Sequence, residues 1–159
     1  MKKIISGISA LTMIMAMAVP FSAFADDRGA VISTEIEPTY LVTIPADVKV
    51  VSGQEKTDFG TVKLDKAQLE PDKCIKVTLI SDNLLKHQKD KTKTLAYTIN
   101  EKTDEGTVYT SADYLTAGEK TDLTIGISKD EWEKAYAGTY SNTVTFKIEY
   151  ADISTEKSK

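Results

Sequence analysis

The strongest constraint on this chain is a two-residue period that recurs along most of its length. In the clearest stretch Tyr140, Asn142, Val144, Phe146, Ile148 and Tyr150 alternate with Ser141, Thr143, Thr145, Lys147 and Glu149. Successive strand side chains point to opposite faces, so this pattern describes a β-strand with one face in a core and the other in water. The alternation returns at Tyr40, Val42 and Ile44, at Val62 and Leu64, at Leu95, Tyr97 and Ile99, and at Leu123, Ile125 and Ile127. Composition agrees with it: beyond residue 25 the chain holds 19 Thr, 10 Ile, 9 Val and 7 Tyr, the β-branched and aromatic residues that suit a pleated, half-buried surface.

Turn signals punctuate these runs at Glu37-Pro38, Pro45-Ala46-Asp47, Ser52-Gly53, Glu70-Pro71-Asp72-Lys73, Asp104-Glu105-Gly106 and Ala117-Gly118-Glu119-Lys120. Many short strands at such spacing predict an all-β sandwich. Strands are expected near 30–36, 39–44, 47–51, 58–64, 74–80, 94–100, 107–112, 121–127 and 139–150. One short helix is expected where Ser128 can cap, Glu131 follows three residues on, and Trp132, Ala135 and Tyr136 share a face before Gly138. The stretch 86–93 carries four Lys and His87 and reads as a solvated loop.

The first 25 residues follow another logic. Lys2 and Lys3 precede an apolar run from Ile4 to Val19, and Ala23-x-Ala25 fits a cleavage site before Asp26. The run is shorter than the roughly 20 residues a bilayer core requires, so a removed secretory leader is expected rather than a retained membrane span. The expected organisation is therefore a leader at 1–25, one sandwich domain at 26–153 and a polar tail at 154–159. The leader takes two of the 20 basic residues and none of the 24 acidic ones, which leaves 18 against 24 and a formal net charge of −6. That balance argues against nucleic acid as a partner. With no later long apolar run and no LPxTG-type anchoring signal, release from the cell or loose surface retention is expected.

Chemistry-bearing residues are few. The single Cys, Cys74, cannot form a disulfide within the chain. It falls with Lys76 and Thr78 on the strand face opposite Ile75, Val77 and Leu79, and so reads as an edge or half-buried thiol; its alternative use is an intermolecular disulfide. His87 is the only His, which leaves Ser or Cys nucleophiles without a base and a structural zinc site without enough ligands. Asp104-Glu105 and Asp130-Glu131 are the carboxylate pairs that glycoside hydrolysis could call on, and Asp26-Asp27 and Asp104-Glu105 are the calcium candidates. None has the EF-hand spacing. A lone Trp offers little for a sugar-binding groove, and Trp132 reads as a plug over the core. No enzyme, no cofactor and no metal are expected.

Recognition by surface remains. Tyr combines a large contact area with a polar handle. Tyr97, Tyr140 and Tyr150 fall on expected core faces, whereas Tyr109 and Tyr114 flank the polar segment 110–113 and are the candidate partner-binding residues. The open edges of a sandwich give a second route, by accepting a strand from another chain.

The segment Ala137-Gly138-Thr139-Tyr140-Ser141-Asn142 resembles the start of the penultimate strand of immunoglobulin-like sandwiches, where a Gly precedes a corner Tyr and a Cys lies two residues on. Asn142 stands in the place of that Cys. With Tyr40-Leu41-Val42-Thr43-Ile44-Pro45, the chain also resembles small secreted β-sandwich proteins of Gram-positive gut commensals, some of which bind immunoglobulin variable domains as B-cell superantigens. The resemblance implies a single immunoglobulin-like β-sandwich of about seven to nine antiparallel strands, with one short helix before the last strand. It also implies a secreted, non-enzymatic protein that binds a host or cell-surface protein, specifically immunoglobulin. The alternative is a structural or adhesin subunit of a pilus or surface layer, held by strand exchange. Mass spectrometry of the exported chain should show a start at Asp26 and the loss of all four Met residues; a retained leader would contradict the cleavage reading.

Overall fold

The computed structural model describes residues 31–153. The leader, its cleavage site, Asp26-Asp27 and the tail at 154–159 lie outside the described residues. Residues 38–153 belong to one compact unit; residues 31–37 belong to a separate one and carry no strand.

Ten strands and one helix follow in chain order: β1 (Thr39–Thr43), β2 (Lys56–Gln68), β3 (Lys73–Ile80), β4 (Leu84–His87), β5 (Thr94–Ala96), β6 (Thr98–Glu101), β7 (Ser111–Tyr114), β8 (Lys120–Gly126), α1 (Lys129–Glu133), β9 (Tyr140–Ser141) and β10 (Thr145–Asp152). They build three open antiparallel sheets in the orders β1-β2-β8-β6, β10-β3-β7 and β5-β4-β9. The fold is all-β and sandwich-like.

The core follows from the two-residue period. Val62 and Leu64 of β2, Leu123 and Ile125 of β8 and Ile99 of β6 meet Ile75 and Val77 of β3 in one buried cluster. Each fully buried aliphatic side chain contributes about 1.5–3 kcal/mol. Register keeps the faces matched: Val77 lies opposite Ile148 and Ile75 opposite Tyr150. One irregularity, between Asp58 and Gly60 on β2, is absorbed at Gly60, whose φ of 112° suits a residue without a side chain.

Several expected strands need correction. Neither 31–36 nor 47–51 is a strand, because alternation alone does not provide a neighbour to bond. The expected loop at 86–93 begins as β4, whose Lys and His concealed it; its backbone pairs with β5 and β9. The runs 94–100 and 139–150 each divide because the chain changes sheet. β5 pairs with β4 and β6 with β8, while β9 pairs with β4 and β10 with β3. The helix accordingly precedes two final strands. At its start Ser128 Oγ accepts from the Glu131 amide at 3.3 Å, as expected. The Glu131 carboxylate meanwhile accepts from the Ala96 amide at 2.9 Å and ties the helix to β5. Trp132 packs against the core, and its indole N–H donates to the Gln54 carbonyl at 3.1 Å.

Cys74 also departs from expectation. β3 is the central strand of its sheet, and the thiol is buried, not at an edge. Its Sγ–H points at the Asp152 carbonyl, 3.7 Å away, and burial pushes its pKa up. An intermolecular disulfide would require opening the β3–β10 pair. A thiol-specific alkylating reagent should therefore label Cys74 only after denaturation, and rapid labelling of the folded chain would contradict this placement.

Candidate functional site

The β1-β2-β8-β6 and β10-β3-β7 sheets share the core, and the two seams between them are built differently. On one side the chain itself crosses between the sheets. The Tyr109 amide donates to the Ile99 carbonyl at 2.9 Å and the Glu101 amide to Thr107 at 2.8 Å. The Leu79 amide then donates to the Thr110 carbonyl at 2.8 Å, and β7 follows on β3. This seam is laced by backbone hydrogen bonds.

The opposite seam lies between β1 and β10, each the outermost strand of its sheet. Tyr40 and Tyr150 bridge it by stacking, with ring centroids 6.4 Å apart and planes 10° from parallel. The Tyr150 hydroxyl accepts from the Glu70 amide at 3.0 Å, which holds the ring in place. Lys73 lies 5.8 Å from the centre of the same ring and pairs with Asp152 at 2.6 Å; that pairing holds its ammonium above the usual lysine range.

Ile148 exposes the state of this seam. It sits between Phe146 and Tyr150 on the inward face and opposite the fully buried Val77, yet is 37% exposed. Tyr40 and Leu41 on β1 are exposed to a similar degree. An inward-facing side chain that stays wet on an outermost strand means that no strand among the described residues covers it. Beyond Phe146 the seam opens into a groove of ≈ 370 Å³, lined by Ile44, Pro45, Val48, Phe59, Ile125 and Val144 among others. Phe59 and Phe146 meet across it at 6.1 Å.

A polar clasp fixes the far end of the groove. Asn142 Nδ2 donates to Asp82 at 2.8 Å and to the Tyr97 hydroxyl at 2.9 Å, and the Ser81 and Tyr97 hydroxyls are 2.8 Å apart. The Asn142 carbonyl oxygen accepts from the Thr143 amide at 2.8 Å. Lys86, with further help from the Leu84 amide and Asn142, holds the Asp82 carboxyl below the usual range. A carboxyl lowered on folding stabilises above its unfolded pKa, so this contribution is present at neutral pH and fades as acid protonates it.

The residues chosen from sequence lie elsewhere. Tyr109 and Tyr114 are only 2% and 3% exposed and belong to the core, which corrects their reading as partner-binding residues. The polar segment between them marks the sheet crossing, not a loop tip. Their hydroxyls are engaged, Tyr109 with the Val77 carbonyl at 3.3 Å and Tyr114 with Thr121 at 2.8 Å, and burial pushes both phenols up. His87 is likewise buried, not solvated. Its Nδ1 accepts from the Lys89 and Asp90 amides at 3.2 and 3.1 Å, which leaves Nε2 to donate to the Ala137 carbonyl at 3.2 Å. A side chain on Gly138 would begin 2.1 Å from Nε2, so the Gly-Thr-Tyr segment and the imidazole fit only together. Tyr140 completes the packing with its ring edge-on to His87 at 5.0 Å.

Glu131 of the Asp130-Glu131 pair serves the helix and β5, and Asp104-Glu105 occupies a surface bend. Among the described residues no group of three His, Cys, Asp or Glu is placed to hold a metal, and no helix is long and apolar enough to cross a membrane. Sequence reasoning missed the seam because Tyr40, Ile148 and Tyr150 look like core positions in a period-two pattern; only strand order shows that they border an opening. Compared with known proteins, the chain matches no family model, no curated protein and no solved structure.

His87→Ala should lower stability by about 1–3 kcal/mol, read as a fall in urea midpoint, because two amides lose a buried acceptor. Asn142→Ala should cost about 1 kcal/mol or more through the clasp. Midpoints unchanged in both would contradict the roles given to these side chains.

Proposed function

We propose that this chain is a secreted, non-enzymatic binding module that takes an extended segment of another protein along the β1–β10 seam. One observation carries the reading: Ile148, inward-facing on an outermost strand, is left half-exposed beside backbone that ends its sheet. An added strand would bond to that backbone and cover Ile148, the physical basis of β-strand addition. Inward-pointing charges are one of several devices that guard such edges; Ile148 is none, and this side carries only the β1 bulge and the outward Lys147 and Glu149 of β10.

Immunoglobulin variable domains are the specific partner that the resemblance implies. In the test, immunoglobulin Fab fragments pass over the immobilised chain beside an Ile148→Lys variant, whose long side chain can reach water from a half-exposed position and leave the fold intact. Retention at micromolar concentration by the parent chain and at least a tenfold loss in the variant are expected. No retention removes immunoglobulin as the partner; equal retention by both overturns the seam as the binding surface.

A further inference from the structure

The turn between β4 and β5 is the most cationic stretch of a chain whose formal net charge is −4. Lys86 at its base is paired with Asp82 at 2.5 Å. Lys89 and Lys91 at its tip are exposed and form no ion pair among the described residues. The Lys93 ammonium lies 4.7 Å from the centre of the Tyr136 ring, and Tyr136 stays 60% exposed with that ammonium over it. Asp90, the one acid of the turn, is engaged by its neighbour: one carboxylate oxygen accepts from the Thr92 amide at 3.0 Å and from the Thr92 hydroxyl at 2.6 Å.

The backbone under these lysines is pinned. The His87 amide donates to the Lys93 carbonyl at 2.9 Å, the Lys93 amide to the Asp90 carbonyl at 3.0 Å and the Gln88 amide to the Thr139 carbonyl at 2.8 Å. His87 takes the Lys89 and Asp90 amides on one ring nitrogen and reaches the Ala137 carbonyl with the other. One imidazole therefore spans the gap between the lysine tip and the segment that carries Tyr136. The Tyr136 amide donates in turn to the Tyr140 hydroxyl at 3.0 Å. Like charges repel, and a loose loop would let them separate. Here the backbone holds Lys89, Lys91 and Lys93 beside an exposed aromatic ring.

We infer that the β4–β5 turn and Tyr136 together bind a carboxylated sugar of an anionic glycan, the ammonium groups meeting the carboxylate and the ring meeting the apolar face of the sugar. Lysine-rich stretches of this length take up heparin-like glycans or nucleic acid. Two observations select the sugar over nucleic acid. Residues 31–153 contain no Arg, the side chain best suited to phosphate and nucleic-acid recognition. Beyond the turn the chain is acidic, so a long phosphate track would be repelled, whereas a charged sugar needs contact over the turn alone. The exposed ring separates a sugar from an acidic peptide, since an Asp or Glu side chain offers it no broad apolar face. This site uses none of the residues of the β1–β10 seam, so the two readings stand or fall separately.

The test is an NMR titration of the chain with trigalacturonate, its fully methyl-esterified form, triglutamate and trithymidylate, at low ionic strength where surface charge is least screened. Trigalacturonate should shift the amide signals of Lys89, Lys91, Lys93 and Tyr136 and saturate, and its methyl ester should not. Lys89→Ala with Lys91→Ala should weaken binding about tenfold. Lys89→Arg with Lys91→Arg, which keeps the charge, should retain it. Tyr136→Ala should weaken trigalacturonate binding about threefold or more and leave triglutamate binding unchanged. The substituted positions are exposed, so each variant should keep the parent's spectral dispersion. No saturable shift with trigalacturonate, equal binding of the methyl ester, or binding indifferent to the paired Ala substitution would each overturn the proposal. Tighter binding of triglutamate or trithymidylate, or an equal loss for triglutamate in Tyr136→Ala, would overturn it as well, by giving the turn to an acidic peptide or a nucleic acid.

Discussion

Two sheets can share a dry core only if the sides between them are shut, and the asymmetry of the two sides governs most of what this molecule presents. One side is shut by the chain, which passes from β6 through residues 107–110 into β7 and bonds to both sheets on the way. The other is held by a pair of stacked tyrosines, with Ile148 left half-exposed beside them. Backbone hydrogen bonds in a ladder are short-ranged and cooperative, whereas one stacked aromatic pair is worth about 0.5–1.5 kcal/mol beyond the area it buries. Local opening should therefore begin at the β1–β10 side, where the fewest bonds must break.

The period-two pattern revealed the fold class and most of the core, because Val62, Leu64, Leu123, Ile125 and Ile99 obey a rule that is local to each strand. Strand order is a different matter. Nothing in Leu95-Ala96-Tyr97-Thr98-Ile99 shows that the chain leaves one sheet at Tyr97 and joins another, and nothing in the run from Tyr140 to Tyr150 shows the change between Ser141 and Thr145. These two shifts account for two of the extra strands; the third, β4, lay in the stretch read as a Lys-rich loop.

The same limit explains why the candidate residues moved. Tyr109 and Tyr114 border a polar segment and look like surface residues, but the segment is the crossing between sheets, and its neighbours turn inward. Ile148 looks like core and faces inward, yet is wet because no strand among the described residues lies beyond it. His87 sits among lysines and still packs behind Gly138, since backbone amides on one side and a carbonyl on the other replace water as its partners. In each case exposure is decided by an element distant in sequence.

Asn142 ties β9 to the chain around Asp82 and Tyr97 by donating to both side chains. Cys74, the only thiol, is enclosed on a central strand. Together they make the folded state indifferent to the redox potential around it. With one Cys the chain can hold no internal disulfide, so neither oxidant nor reductant acts on the fold through one.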